Sequence, residues 1–324
     1  MKIVNNGEYE IRFNQKTGAM LLQGVNGHPD PKKLKYPLLM DIGIMGHCHN
    51  QCHFCYQGRI NQPNMTLDNF KRIIDEVRDD VMQVALGGRG DPNKHEDFEK
   101  IIEYCNENNV VPNYTTSGKN LTDRELEISK NCGAVAVSMY NSDYTFYSLK
   151  RLMKKNIKTN IHFIFDGLSY FPIEDLLKGK DIWHGKVDLD RLNAIIFLLF
   201  KPVGAARKMT MFQAVNYQFE NFYDLIRKNS NNLKFKVGMD SCLSNKIQQR
   251  MKISSFEKTF MGNCDSARYS VYVSPDMKLL PCSFGSEGVE IKSSIKNLWD
   301  NSNLFNDFRL KTDLYPTVCP IMKG

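Results

Sequence analysis

From Leu38 onward the chain alternates between two hydrophobic periods. Short apolar runs occupy Leu38 to Ile44, Val81 to Leu86, Val110 to Tyr114, Ala134 to Met139, Thr159 to Phe165 and Ala194 to Phe200. Between them, apolar residues recur at spacings of three and four, the period of an amphipathic helix. Thr66 is placed to cap a helix through Phe70, Ile73, Ile74 and Val77. His95 to Asn106, Asp123 to Asn131 and Asp143 to Lys155 read as further helices, and Ile173 to Leu177 as the start of a short one. Six strands with helices between them predict βαβ units and a parallel sheet, either doubly wound or a complete or partial barrel. Functional loops then gather at the carboxyl ends of the strands.

The ends of the chain have a different texture. Glu10 to Phe13 and Ala19 to Leu22 flank the turn signal Asn14-Gln15-Lys16-Thr17-Gly18 and predict an N-terminal hairpin. Past residue 230 come a short strand at Lys234 to Val237, then a hairpin of Ser270 to Val273 and Lys278 to Leu280 around Ser274-Pro275-Asp276-Met277. A helix over Ser294 to Arg309 follows, with Ile295, Leu298, Trp299, Leu304 and Phe308 as its apolar side. The expected division is a hairpin and lead-in over 1–37, a barrel over 38–232, and a hairpin-plus-helix domain over 233–324.

A length of 324 residues suits one large domain with a smaller appendage. A hydrophobic content of 42% with 24% charged residues excludes general disorder. The longest apolar run, Ala194 to Phe200, is far short of the roughly 20 residues of a membrane helix. Met1-Lys2-Ile3-Val4 runs directly into polar residues, with no signal-peptide core. The expectation is a cytoplasmic protein without a membrane partner. The charge, 43 Lys+Arg against 36 Asp+Glu for a net +7, is spread in short runs such as Pro31-Lys32-Lys33-Leu34-Lys35. It describes a solvated surface better than a nucleic-acid footprint. Nine cysteines, an odd number at low density, point to metal ligation or catalysis rather than a disulfide scaffold.

Three of them form the sharpest local signal. Cys48-His49-Asn50-Gln51-Cys52-His53-Phe54-Cys55 has the spacing C-x3-C-x2-C, directly after the first barrel strand. Three thiolates on one loop can hold three irons of a [4Fe–4S] cluster and leave the fourth iron open, the arrangement catalysis needs. The competing metal is zinc, because His47, His49 and His53 crowd the loop.

This loop resembles the signature of the radical S-adenosylmethionine (radical SAM) superfamily. The resemblance implies a partial (β/α)6 TIM-like barrel and an open iron that chelates S-adenosylmethionine (SAM). It also implies reductive SAM cleavage to a 5′-deoxyadenosyl radical that abstracts a hydrogen atom from substrate. Phe54 takes the aromatic position that lies near adenine in the family. Gly87-Gly88-Arg89 resembles the family's GGE motif, whose backbone binds the SAM amino group; Arg89 replaces the usual Glu. The strand-end residues Thr116 and Ser138, the fifth-strand Asn160 and His162, and Lys201 after the sixth strand fall where the family contacts SAM. The alternative for Asn160 and His162 is a satisfied polar lining, and for Lys201 a solvated side chain.

Cys242, Cys264, Cys282 and Cys319, ordered around the late hairpin with Leu298-Trp299 and Phe308-Arg309, resemble the SPASM/twitch extension of these enzymes. A full SPASM module carries about seven cysteines for two clusters; four suffice for one auxiliary [4Fe–4S] cluster. Cys242 could instead be a free thiol that donates hydrogen to a substrate radical. Cys105 and Cys132 read as small buried hydrophobes. The resemblance further implies a peptide or protein substrate, an electron donor of flavodoxin or ferredoxin type, and anaerobic chemistry. Forty residues before the barrel are too few for a leader-binding domain, so a peptide would bind the barrel mouth and hairpin directly. The alternatives are a small metabolite, nucleoside or RNA substrate and, more distantly, a non-catalytic zinc or nucleic-acid-binding protein.

Overall fold

The structure, a computed structural model, describes residues 1–25, 33–50, 52–58, 60–258, 261, 263–316 and 318–322. Lys32 of the basic run, Gln51 of the cysteine loop and the terminal Gly324 lie outside them.

The chain opens with three antiparallel strands, β1 (Lys2–Asn6), β2 (Tyr9–Phe13) and β3 (Met20–Gly24). The expected hairpin is β2–β3; β1 is an addition. Its pattern Lys-Ile-Val-Asn-Asn is too polar to stand out, and only Val4 and Asn6 are buried. Val4, Ile11 and Phe13 pack with Leu34, Leu38 and Met82 in a small separate core.

The barrel follows as β4 (Leu39–Met45), α1 (Leu67–Val77), β5 (Gln83–Gly88), α2 (Phe98–Glu107), β6 (Val111–Thr116), α3 (Asp123–Ser129), β7 (Ala134–Ser138), α4 (Asp143–Lys154), β8 (Thr159–Phe165), α5 (Tyr170–Leu177) and β9 (Ala194–Leu199). α1 starts where expected, with Thr66 Oγ1 accepting from Asn69 N. α3 begins with a reciprocal capping box of Thr122 and Glu125. α2 starts three residues later than expected, because a short 3-10 turn, Pro92–Lys94, precedes it and His95 Nε2 is held 2.8 Å from Met65 O. β4 to β9 pair in chain order and all run parallel.

Beyond β9 come α6 (Asn216–Asn229), β10 (Lys236–Met239), α7 (Ser241–Gln248), the single turn α8 (Ser255–Lys258), β11 (Ser270–Val273), β12 (Lys278–Leu280), β13 (Val289–Glu290), α9 (Ile295–Asn301) and α10 (Asn303–Leu314). The strand expected at Lys234 to Val237 is β10, and it joins β9 in parallel. At the other edge β11 joins β4 in parallel, and β12 and β13 follow antiparallel. The barrel sheet and the late hairpin are therefore one ten-stranded sheet among the described residues, with β10 and β13 at its open edges. The barrel is partial and does not close.

Period-two alternation decides what faces inward. On β8, Thr159, Ile161, Phe163 and Phe165 are buried against the helices, while Asn160, His162 and Ile164 are half-buried on the other face. Phe165, Phe197 of β9 and Phe222 of α6 pack with ring centroids 4.8 and 5.1 Å from Phe222. The helix expected over Ser294 to Arg309 is two helices, broken at Ser302, whose backbone is extended. Arg309 folds α10 onto α9: its Nη2 donates to Trp299 O at 2.6 Å and its guanidinium lies 4.8 Å over the Trp299 ring. Among the described residues no helix is long and apolar enough to cross a membrane.

Candidate functional site

The loop after β4 is pinned at its base. Met65 N donates to Ile44 O at 2.9 Å, Gln62 N to Gly46 O at 2.9 Å, and Gly46 N to Asn64 Oδ1 at 3.0 Å. The three cysteines project from it half-buried, at the carboxyl end of the parallel sheet. Cys55 N donates to Cys52 O at 3.2 Å, and Asn50 N lies 3.3 Å from Cys48 Sγ. Burial raises the Cys52 and Cys55 thiols above their ordinary values, and the neighbouring thiolates of the loop add to the rise. Arg89 opposes it at Cys55. Crowded thiols that repel one another when ionised are a donor set that a positive centre stabilises.

The surroundings match that use. Cys52 Sγ lies 4.0 Å from Tyr140 Oη, and the Phe54 and Tyr140 rings stack at 5.7 Å. Gly88 sits at φ +112°, and a Cβ there would stand 2.3 Å from Met45 O, so only glycine lets β5 approach the root of the loop. Gly87 has open space where a Cβ would project. Arg89 turns its side chain to the loop: Nη2 donates to Gln57 O at 2.8 Å, and its buried Nε has no hydrogen-bond partner among the described residues. Across the mouth, Asp91 accepts from Ser117 N at 2.7 Å and from Ser117 Oγ at 2.5 Å, and Asn50 Nδ2 reaches Ser117 Oγ at 3.4 Å. Ser138 ends β7, level with His162.

Thr116 is buried at the edge of this group, within side-chain hydrogen-bond reach of Asp91. It is 1% exposed and its Oγ1 accepts from Gly118 N at 3.0 Å; the inward residue is Thr115, 3.4 Å from His162 Nδ1. Asn160 Oδ1 accepts from Asn193 Nδ2 at 2.6 Å. Asn113, Thr115, Asn160, His162 and Asn193 line a polar cavity of about 300 Å³ inside the barrel, toward the amino ends of the strands. Asp41 of β4 pairs in register with Ala85, another lining residue, and burial alone lifts its carboxyl to about 7.

His162 carries a testable consequence. Burial pushes its imidazole down to about 4, only partly opposed by Asp240. The unfolded chain, at the ordinary 6.5, binds the proton first, so His162 costs stability as pH falls from 6.5 to about 4. The expected loss is on the order of 3 kcal/mol. His162→Gln should remove that part of the acid destabilisation in urea titrations at neutral and acid pH; an unchanged pH dependence would refute it.

Lys201 is neither solvated nor free. Its Nζ lies 2.7 Å from Asp240 Oδ2, 3.2 Å from Leu199 O and 4.0 Å over the Phe284 ring. Burial works against its charge, but Asp240, aided by the Cys242 and Cys282 thiols, holds it above the ordinary lysine value. The same Phe284 packs on Tyr56, one residue past Cys55, with centroids 4.7 Å apart. Gly204, at φ +60°, lets the loop after β9 press against Tyr56 O, where a Cβ would stand 2.2 Å away, and Ala205 N donates to Cys55 O at 2.9 Å.

Cys242 opens α7, which Asp240 caps by accepting from Leu243 N at 2.8 Å. Cys282 follows β12, and Cys264 and Cys319 come from the flanking loops. Burial raises Cys242, Cys264 and Cys282, the last to about 11. Cys242 lies within electrostatic reach of Cys264 and Cys282, and these two of Cys319. Among the described residues no three Cys, His, Asp or Glu side chains close around a point as they would for a single ion. Cys105 is fully buried and Cys132 packs against the main core.

Tyr140, Asp91, Asp240 and Phe284 were not singled out by sequence reasoning. Asp91, in Gly90-Asp91-Pro92, and Asp240, two residues before Cys242, carried the nearest thing to a signal.

No curated protein matches by sequence. Residues 42–157 match the model of the radical SAM superfamily. In fold, the chain is similar to Streptococcus suis SuiB bound to precursor peptide SuiA, with TM-score 0.68, 16% identity, and 86% of this chain and 67% of that one covered. Another structure of Streptococcus suis SuiB gives TM-score 0.68 at 14% identity, covering 96% and 90%. The protein anSMEcpe, with bound AdoMet and Cp18Cys peptide, gives TM-score 0.61 at 14% identity, covering 84% and 82%. The family match lies across the strand, the cysteine loop and the glycine cradle, so residues 42–157 form a radical SAM domain, which supports SAM and a [4Fe–4S] cluster as its cofactors.

Proposed function

We propose that Cys48, Cys52 and Cys55 hold the SAM-binding cluster, and that the radical formed from SAM abstracts a hydrogen atom from a ribosomally made peptide or protein. The observation that carries this is the placement of three half-buried thiols on one loop at the carboxyl end of β4, with Cys52 beside Tyr140 and Gly88 packed against Met45 at the loop's root. When bound, the cluster supplies the electron that breaks the sulfonium C–S bond. The chain's own residues position and shield. Gly87 and Gly88 leave backbone open to a ligand's polar groups. Phe54 and Tyr140 wall the loop against water, and Asp91, Ser117 and Asn50 fix the opposite lip.

The division into a barrel over 38–232 and a twitch-like domain over 233–324 belongs to the same proposal. Cys242, Cys264, Cys282 and Cys319 there hold one auxiliary [4Fe–4S] cluster, supported by their mutual electrostatic reach. The likeness to SuiB with its precursor peptide and to anSMEcpe with its peptide supports a peptide substrate. A second reading is a small metabolite or nucleoside substrate.

The test is anaerobic reconstitution with iron and sulfide, reduction by dithionite, and mass-spectrometric measurement of 5′-deoxyadenosine from SAM. The nucleoside should accumulate, and a peptide substrate should raise its yield and change mass. If only small polar metabolites do so, the second reading replaces the first. A protein that retains zinc and forms no nucleoside would overturn both.

A further inference from the structure

On the outer face of the barrel, α4 and the loop 185–191 enclose a groove of about 620 Å³. Lys150, Lys154 and Lys186 line it with Phe146 and Tyr147. Arg191 is offset by Asp188 at 3.7 Å, whereas Lys186 Nζ sits 5.1 Å over the Phe146 ring and the groove's other carboxylate is Asp143. The groove is thus cationic with an aromatic floor. Its upper end is at Asp143, on the first turn of α4, three residues after Tyr140. From Cys52 Sγ it is 4.0 Å to Tyr140 Oη, and the Tyr140 and Tyr144 rings are 6.4 Å apart. Tyr144 and Tyr147 are three apart on α4 and so adjacent on its surface, and Tyr147 is 63% exposed. A file of aromatic rings leads from a thiol of the loop to the rim of the groove.

We propose that this groove docks an acidic one-electron carrier protein of the flavodoxin or ferredoxin class, and that Tyr140 and Tyr144 lie on the electron's way to the cysteine loop. The lysines complement an acidic face and steer its approach. An acidic peptide or an RNA would use the same charges, but would have no use for rings that run to Cys52. The inference rests on the radical SAM reading, in which each reductive cleavage takes one electron from outside. The carrier is oxidised by one electron, the cluster on the loop is reduced by one, and no atom is transferred.

The test uses the full-length reconstituted enzyme and a recombinant flavodoxin, with binding read by anisotropy of its flavin. Affinity should fall steeply between low and high salt. Lys150→Glu/Lys154→Glu/Lys186→Glu should weaken it about tenfold or more at low salt, with dithionite-driven SAM cleavage unchanged. Tyr144→Leu should leave binding intact and slow flavodoxin-driven bleaching of the cluster's visible absorbance. Wild-type flavodoxin affinity in the triple variant would overturn the proposal. So would a poly-uridine RNA that binds more tightly than flavodoxin and is lost in that variant. If dithionite drives no SAM cleavage in the wild type, the radical SAM reading itself fails and the proposal falls with it.

Discussion

Replacing Cys48, Cys52 and Cys55 together by alanine is expected to abolish 5′-deoxyadenosine formation while the protein stays folded. The loop lies outside the core: its thiols are half-buried, and its base is held by backbone bonds at Met65, Gln62 and Gly46 that the substitutions leave intact. Lost contacts should therefore cost little stability, within about 1 kcal/mol. The chemistry has no substitute ligands, because the four other cysteines proposed as ligands sit around the late hairpin, and Cys105 and Cys132 are in or against the core. Iron content separates two outcomes. With the auxiliary cluster in place, the variant should keep roughly half the wild-type iron and a visible charge-transfer band. An apo-protein would mean that the late cysteines hold nothing on their own. Nucleoside formation above background in a folded triple variant would remove the cysteine loop from its assigned role.

Much of the fold was legible because two simple periods repeat. β8 shows why: Thr159, Ile161, Phe163 and Phe165 alternate with Asn160, His162 and Ile164, and the alternation says both strand and sidedness. The apolar spacing of α1 and its Thr66 cap are as plain. What stayed hidden depended on distant partners. Residues 294 to 309 have continuous helical character, and the break at Ser302 arises because Arg309 reaches back to Trp299 O and to Ala267 O, 42 residues earlier. α6 has its own apolar spacing in Phe219, Phe222, Tyr223 and Leu225, masked by the flanking polar residues. That the late hairpin extends the barrel sheet through β11 and β4 is a pairing across more than 200 residues that no local pattern announces.

The site divides the same way. The cysteine spacing and the glycine pair are local and stood out at once. Thr115 and Thr116 are adjacent and chemically identical, so only the strand's sidedness separates the inward residue from the buried one. Lys201 could not be distinguished from a solvated lysine, because Asp240 and Phe284, which decide its environment, lie 39 and 83 positions away.

That environment makes Lys201→Met the substitution with the largest expected effect on stability. The Lys201 side chain is 3% exposed and that of Asp240 19%, so the pair is largely shielded from water. Removing the ammonium leaves the largely shielded Asp240 carboxylate with the Leu199 and Leu243 amides as its donors among the described residues, at 3.2 and 2.8 Å. Breaking a buried pair from one side costs about 3–5 kcal/mol, because an uncompensated charge remains. Asp240→Asn added to Lys201→Met removes that charge yet keeps a side-chain oxygen to cap α7, and should restore most of the loss. The comparison isolates charge from packing, since both variants lose the same lysine. Because Lys201 also sits over Phe284, which packs on Tyr56 beside Cys55, the single variant should loosen the contact between the two cysteine-bearing loops. Hydrogen exchange at Tyr56 and Phe284 would then rise in the single variant and return toward wild type in the double. Urea unfolding that finds Lys201→Met within about 1 kcal/mol of wild type would mean the pair is solvated in solution and holds neither loop.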